Sequence, residues 1–191
     1  MIICHSPKLI FLAVPRTASR AITQAIETAF PDCEKRGHHT MTVPEQYRTE
    51  VYFKFSSVRN PYSRTVSHYL YRHRNHLNSV GFWTFHEYVH NLVRNRLPWW
   101  QLNNDPPAVK WLRGTGCKQL IRFEYLAQDW AALPVWQQTG FTPELKPLNR
   151  NPSGAANWRL FYTQELADKV YYHQQADFDQ FGYAKNSWLI Q

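Results

Sequence analysis

The first strong pattern along the chain is an apolar block. Leu9-Ile-Phe-Leu-Ala-Val14 runs without a polar residue, as a strand buried on both faces of a parallel sheet does. Pro15 ends it. From Ser19 to Phe30, Ile22, Ala25, Ile26 and Ala29 recur at helical spacing and predict an amphipathic helix stopped by Pro31. The order is strand, tight loop, helix. Pro44 to Thr49 predicts a short helix and Val51 to Val58 a second strand, broken at Asn60-Pro61. Pro61 suits the first turn of a helix running to about Arg74. Thr84-Phe-His-Glu87 has the spacing of a reciprocal capping box and opens a helix to Val93. Lys118 to Phe123 predicts a third strand, with a helix from Leu126. Thr163 to Gln174 predicts a last long helix, and Leu97 to Pro107 and Glu144 to Trp158 are irregular. Strands alternating with helices predict an α/β fold: one domain over 1–191, a short parallel sheet flanked by helices.

Composition narrows the function. The 191 residues are 43% apolar and 19% charged, which excludes intrinsic disorder and allows a core without staples. No apolar run approaches the ~18 residues of a membrane span, and the opening MIICHSPK lacks the apolar stretch of a secretory leader. Cys4, Cys33 and Cys117 form no CxxC pair. They predict reduced thiols in a cytoplasmic protein and no structural zinc. Lys and Arg exceed Asp and Glu by 22 to 14, a net charge of +8. An anionic partner follows: nucleic acid, a sulfated or phosphorylated small molecule, or an acidic polysaccharide. The charge is spread through the chain, which counts against a basic nucleic-acid arm, and no RRM, KH or helix-turn-helix signature is present. Aromatics reach 16%, with eight Trp. They either fill a core or stack on bases and sugars; Trp99, Trp100 and Trp158 are the platform candidates.

Two segments carry candidate chemistry. Pro15-Arg-Thr-Ala-Ser-Arg-Ala21 lies between the first strand and its helix. A helix N-terminus there offers N–H groups and the positive end of the dipole to a phosphate; Thr17 and Ser19 add hydroxyls and Arg16 a forked cation. The alternative is an ordinary turn with a serine cap. The loop is not GxxxxGK[ST], and no apolar strand ends in an Asp suited to Mg²⁺. In the second segment, Ser56 to Ser67, Arg59 sits where the second strand ends and Ser67 follows eight residues later, less than two helical turns in. Carboxyl ends of parallel strands are where α/β sheets bind ligands. The alternative makes Arg59 and Arg64 solvated charges and Ser67 a neutral helix residue.

Together the segments resemble the sulfotransferases that use 3′-phosphoadenosine 5′-phosphosulfate (PAPS), in the branch that includes carbohydrate sulfotransferases and bacterial relatives. VPRTASRAI at 14–22 is similar to that family's PKTGG[TS]S-like loop, and VRNPYSRTVSHY at 58–69 to its VR[ND]P-x-x-R-x-x-S-x-Y signature. LIRFEYL at 120–126 looks like its "LRYEDL" strand and DFDQFGY at 177–183 like its "DFELFGY" ending. This sequence departs from the pattern at Arg16 in place of the loop lysine, Ala18 in place of glycine, and Arg20 in place of Thr or Ser.

The resemblance implies roles. A P-loop-like loop, Arg16, Thr17, Ala18, Ser19, Arg20 and Ala21, cradles the 5′-phosphosulfate. Arg59 and Ser67 hold the 3′-phosphate. Arg150, in a stretch resembling a flap over the nucleotide, either reaches a phosphate or belongs to a plain polar loop. PAPS is the co-substrate, PAP the product, and the acceptor a hydroxyl or amine of a molecule the sequence does not identify, with carbohydrate one candidate class. Transfer needs a base for the acceptor's proton, and neutral His suits pH 7. The pair His38-His39 precedes the second strand; it is either that base, with His39 slightly preferred, or incidental among nine His. Glu124 is read as a helix-start residue rather than a base. His68, His73, His76, His86 and His90 show no metal-ligand pattern, and no metal is expected. Two rivals remain: a PAP- or PAPS-binding protein without efficient turnover, and a nucleic-acid module.

Overall fold

A computed structural model describes residues 1–37, 42–48, 51–75, 83–97, 106–146 and 155–189. The chain falls into two compact units, each built from two stretches: 1–59 with 110–150, and 60–109 with 151–191.

The first unit is an α/β layer with a five-stranded mixed sheet. Its strands are β1 (Ile2–His5), β2 (Lys8–Leu12), β3 (Glu34–Lys35), β4 (Phe53–Val58) and β5 (Gln119–Arg122), in the order β3-β1-β2-β4-β5. β2, β4 and β5 run parallel, as the apolar runs predict. The sheet is extended by two antiparallel strands absent from that expectation. β1 forms a hairpin with β2, and β3 pairs with β1 on the outer edge. The expected α/β fold with a short parallel sheet holds in β2, β4 and β5, and these two strands make the whole sheet mixed.

Alternation along β2 explains why its run is apolar throughout. Leu9 and Phe11 face one side, packing with Phe55 of β4, Ile121 of β5 and the buried face of helix α1 (Ser19–Ala29). That face is Ala21, Ile22, Ala25 and Ile26. Ile10 and Leu12 face the other side with Ile3 and Val43. Each such side chain taken out of water contributes roughly 1.5–3 kcal/mol. Two short helices, α5 (Leu126–Ala131) and α6 (Val135–Thr139), add Trp130 and Trp136 to the first side. Both indoles are core residues with satisfied N–H groups: Trp130 Nε1 donates to Pro143 O at 2.8 Å and Trp136 Nε1 to Trp130 O at 2.7 Å.

Cys4 and Cys33 form a disulfide that ties β1 to the chain just after α1. The expectation of three reduced thiols is therefore corrected, and the compartment argument built on it loses its basis, since disulfides are rare in the cytosol. Cys117 keeps a thiol, which burial pushes up to about 12 and so leaves protonated at neutral pH. Among the described residues no helix is long and apolar enough to cross a membrane.

The second unit is helical: α2 (Pro61–Asn75), α3 (Phe85–Val93), α7 (Gln164–His173) and α8 (Gln175–Phe181). Its core joins Tyr62, Val89, Tyr162, Leu166, Val170 and Phe178. Tyr62 meets Phe178 edge to face at 4.8 Å. The reading of Arg64 as a solvated charge is corrected here. Arg64 is fully buried, 3.7 Å from Asp177, and donates to Pro106 O at 3.1 Å. Asp177 accepts from the Ala108 and Val109 amides at 2.7 and 2.9 Å, which open the short helix α4 (Ala108–Leu112). Burial raises the Asp177 carboxyl above its ordinary range, against the pull of Arg64 and the two amides. Removing one member of such a pair typically costs about 3–5 kcal/mol, so Arg64 and the "DFDQFGY" segment have a structural reason to be there.

Candidate active site

The parallel strands end together. β2 runs into the loop of residues 13–18, β4 into Arg59, and β5 into Phe123. A hydroxyl seam fixes the first two ends: Ser56 Oγ donates to Leu12 O at 2.6 Å, Thr17 Oγ1 donates to Val14 O at 2.8 Å, and Thr17 and Ser57 hydroxyls meet at 2.7 Å. Thr17 is fully buried. Its hydroxyl therefore holds the loop to β4.

Arg16 and Ala18 both adopt the left-handed region, with φ of 67° and 66°. Alanine there costs roughly 1–2 kcal/mol relative to its preferred backbone, and such costs concentrate at functional sites. The turn delivers the chain into α1 with Ala18 as N-cap and no side-chain cap. The first intrahelical donor is the Ile22 amide, bonded to Ala18 O at 3.2 Å, so the Ser19, Arg20 and Ala21 amides precede the helical ladder. No acidic residue lies in the first turn. Successive amides in such a turn, at the positive end of a helix, form an anion-binding concavity. Arg20 is exposed, and Arg16 and Ser19 are half-buried.

Arg59 belongs to the same corner. Its Nη1 donates to Arg16 O at 3.4 Å, and its guanidinium lies 4.0 Å above the Phe123 ring. At 8% exposure it is not a solvated charge. The stacking, worth about 0.5–2 kcal/mol, fixes a cation beside the loop. Phe123 follows the last strand in the "RFEYL" segment; neither it nor Ser57 was expected from the sequence to serve the site. The signal for Ser57 was present, since two serines in a buried strand need partners. Glu124 lies in the 3₁₀ turn Phe123–Tyr125 leading into α5, as a helix-start residue does.

A family model described as sulfotransferase family matches residues 1–184. The chain belongs to the sulfotransferase family. No curated protein and no solved structure matches it. The match covers residues of both units, and membership implies an enzyme that joins a sulfate donor to an acceptor.

The sulfotransferase thus brings Arg16 through Ala21 and Arg59 together in its first unit. Ser67 is buried in the second turn of α2, in the other unit. Trp158 is half-buried, with Arg159 4.4 Å above its ring. His38, His39, Trp99, Trp100 and Arg150 lie outside the described residues.

Proposed function

We propose that this sulfotransferase moves a sulfuryl group from PAPS to a hydroxyl or amine, with carbohydrate one candidate acceptor class and both units serving one catalytic domain. The observation that carries the reading is the corner itself: a buried, ring-stacked arginine bonded to the carbonyl of a left-handed loop, beside a helix end with no side-chain cap and no acid. That donor set fits a nucleotide bearing anionic groups at both its 5′ and 3′ ends. It supplies amides and the Arg16 guanidinium for the 5′ anion and the Arg59 guanidinium for the 3′-phosphate.

The donor supplies an activated sulfuryl group, with PAP as its leaving half. The amides of residues 17–21, with Arg16, hold the 5′ anion and take up the charge that grows as the S–O bond breaks. Arginine keeps its proton throughout, so Arg16 acts by charge and hydrogen bonding rather than as an acid. Arg59 neutralises the 3′-phosphate; the signature assigns Ser67 to the same phosphate on sequence spacing alone. The acceptor loses its proton to His39 or His38, whose assignment also rests on sequence position. Residues hold both partners in line, so positioning and charge account for most of the rate.

The test is transfer from labelled PAPS to a carbohydrate panel, beside a PAP titration. Arg16→Ala should cut transfer far more than it weakens PAP, which lacks the sulfuryl group. His39→Ala should lower the rate by roughly 10²–10⁴ and leave PAP affinity within a few-fold. Transfer should survive EDTA. Tight PAP binding with no acceptor ever sulfated selects the binding protein without turnover; absence of PAP binding overturns the reading.

A further inference from the structure

The second unit contains a cluster that the transfer reaction does not use. His86 and His90 stand four residues apart on α3, their rings 4.3 Å centroid to centroid. Glu165, in the first turn of α7, places Oε1 3.6 Å from His90 Nε2. One ligand atom from each of the three lies within 4.8 Å of the others. Around a tetrahedral zinc ion, donors at 2.0–2.2 Å stand roughly 3.3–3.5 Å from one another. The His90–Glu165 pair is already near that spacing, and the exposed His86 needs only a side-chain adjustment to reach it.

A cation of the protein's own sits in this donor set. Lys169, one turn after Glu165, places Nζ 3.0 Å from His90 Nε2 and pairs with Glu165 Oε1. An ammonium has only hydrogens to offer. His90 therefore meets it with the Nε2 lone pair and carries its proton on Nδ1. A neutral imidazole nitrogen and a carboxylate oxygen converging on one positive charge are the donor types that bind zinc.

We propose that His86, His90 and Glu165 form a binding site for a borderline divalent metal of the Zn²⁺ class, with the Lys169 ammonium as the internal cation that the metal displaces. The metal takes three protein ligands and a water in the fourth position, and it links α3 to α7. Lys169 retains its proton and swings to solvent, for which its 28% side-chain exposure leaves room. The site sets a threshold: metal must outcompete a tethered charge before it binds. This inference does not rest on the PAPS reading, because its ligands all belong to the helical unit.

The experiment is titration of the full chain with ZnCl₂ at pH 7.5 by calorimetry, with thermal unfolding as a second readout. Cys117→Ser is the background, which removes the thiol as a competing ligand. One Zn²⁺ per chain and a raised Tm are expected. His86→Asn and Glu165→Gln should each weaken binding at least tenfold and abolish the rise in Tm. Lys169→Met should tighten binding about tenfold, an effect that scattered surface histidines have no reason to produce. Unchanged zinc affinity in both His86→Asn and Glu165→Gln overturns the proposal, as does weaker binding in Lys169→Met. No zinc binding to the parent chain overturns it too, unless Lys169→Met restores one equivalent. The far-UV circular dichroism spectrum serves as the folding control and should be the same in all variants.

Discussion

Helix α3 begins with Thr84 Oγ1 accepting from the Glu87 amide at 3.2 Å while the Thr84 amide donates to Glu87 Oε2 at 2.6 Å. Helix α1 begins with a left-handed alanine, no side-chain cap and no first-turn acid. Both helices face the same shortage of partners for their first amides. One meets it internally, with a carboxylate at the positive end of its dipole; the other arrives by a strained turn and has no side-chain cap for them. The side-chain cap that α1 forgoes is worth about 1 kcal/mol, and the left-handed Ala18 adds to that. Helix α1 forgoes local stability at the strand-end loop, whereas α3 keeps it in its capping box.

Several substitutions break or sharpen this contrast. The largest effect belongs to Arg59, the cation that shares the α1 loop. Arg59→Ala should weaken PAP by about 1.5–3 kcal/mol, the usual loss for a charged hydrogen-bonding partner, read by calorimetry as a roughly 10–150-fold change. Adenosine 5′-phosphosulfate, lacking the 3′-phosphate, should be indifferent; equal sensitivity of both ligands removes Arg59 from that phosphate. Next comes Arg20→Glu, which gives α1 the first-turn acid that α3 has. It should weaken PAP by about 1–2 kcal/mol through repulsion at the helix end while leaving Tm equal or higher. Loss of stability with unchanged PAP affinity would mean that the α1 amides are not the ligand's partners.

Thr84→Ala does the reverse at α3. Urea denaturation should show a loss of about 1 kcal/mol, with PAP binding untouched. Ala18→Gly removes the left-handed cost but adds unfolded-state entropy, so a gain of about 0.5 kcal/mol is expected. The finest distinction is pH. The Thr84 amide and hydroxyl hold the Glu87 carboxyl below its ordinary 4.5. The unfolded chain therefore takes up that proton first, and the cap's contribution, complete above pH 4.5, disappears as pH falls through the lower native value. Glu87→Gln should flatten that part of the stability profile; α1 has no equivalent group to titrate.

Legibility followed the range of the interactions involved. The strand-loop-helix of residues 9–29, the capping box and the two parallel strands were readable because period and cap spacing are local properties. β1 and β3 were not. They are four and two residues long and exist through pairing with partners elsewhere in the chain. The disulfide depends on β1 and the end of α1 approaching in space, which no spacing rule encodes. Arg64 and Asp177 were visible in separate segments, but their meeting is tertiary, so a solvated Arg64 stayed open as an alternative. At the loop, the resemblance marked residues 16–21, yet alanine does not advertise a positive φ, and nothing in a sequence tells whether a threonine hydroxyl turns inward to Ser57 or outward to a ligand. His86 and His90 were seen without Glu165, which arrives from another helix.

The interleaving of the two units has a bearing on how this enzyme is made and how it can be taken apart. During synthesis the loop of residues 13–18, α1 and β4 emerge early, but β5 follows only after the whole of 60–109, which belongs to the other unit. Until then β4 lacks its second parallel neighbour, and Phe55 lacks the Trp130 ring that stands 6.1 Å from it in the finished core. Pairings that span so much chain are slow to form, and the nascent sheet carries an unpaired edge in the meantime. No single cut in the chain releases either half intact. The corner at the strand ends is therefore not a cassette that recombination or protein engineering can lift out and place on another scaffold; it travels with the helical stretch encoded between its strands or not at all.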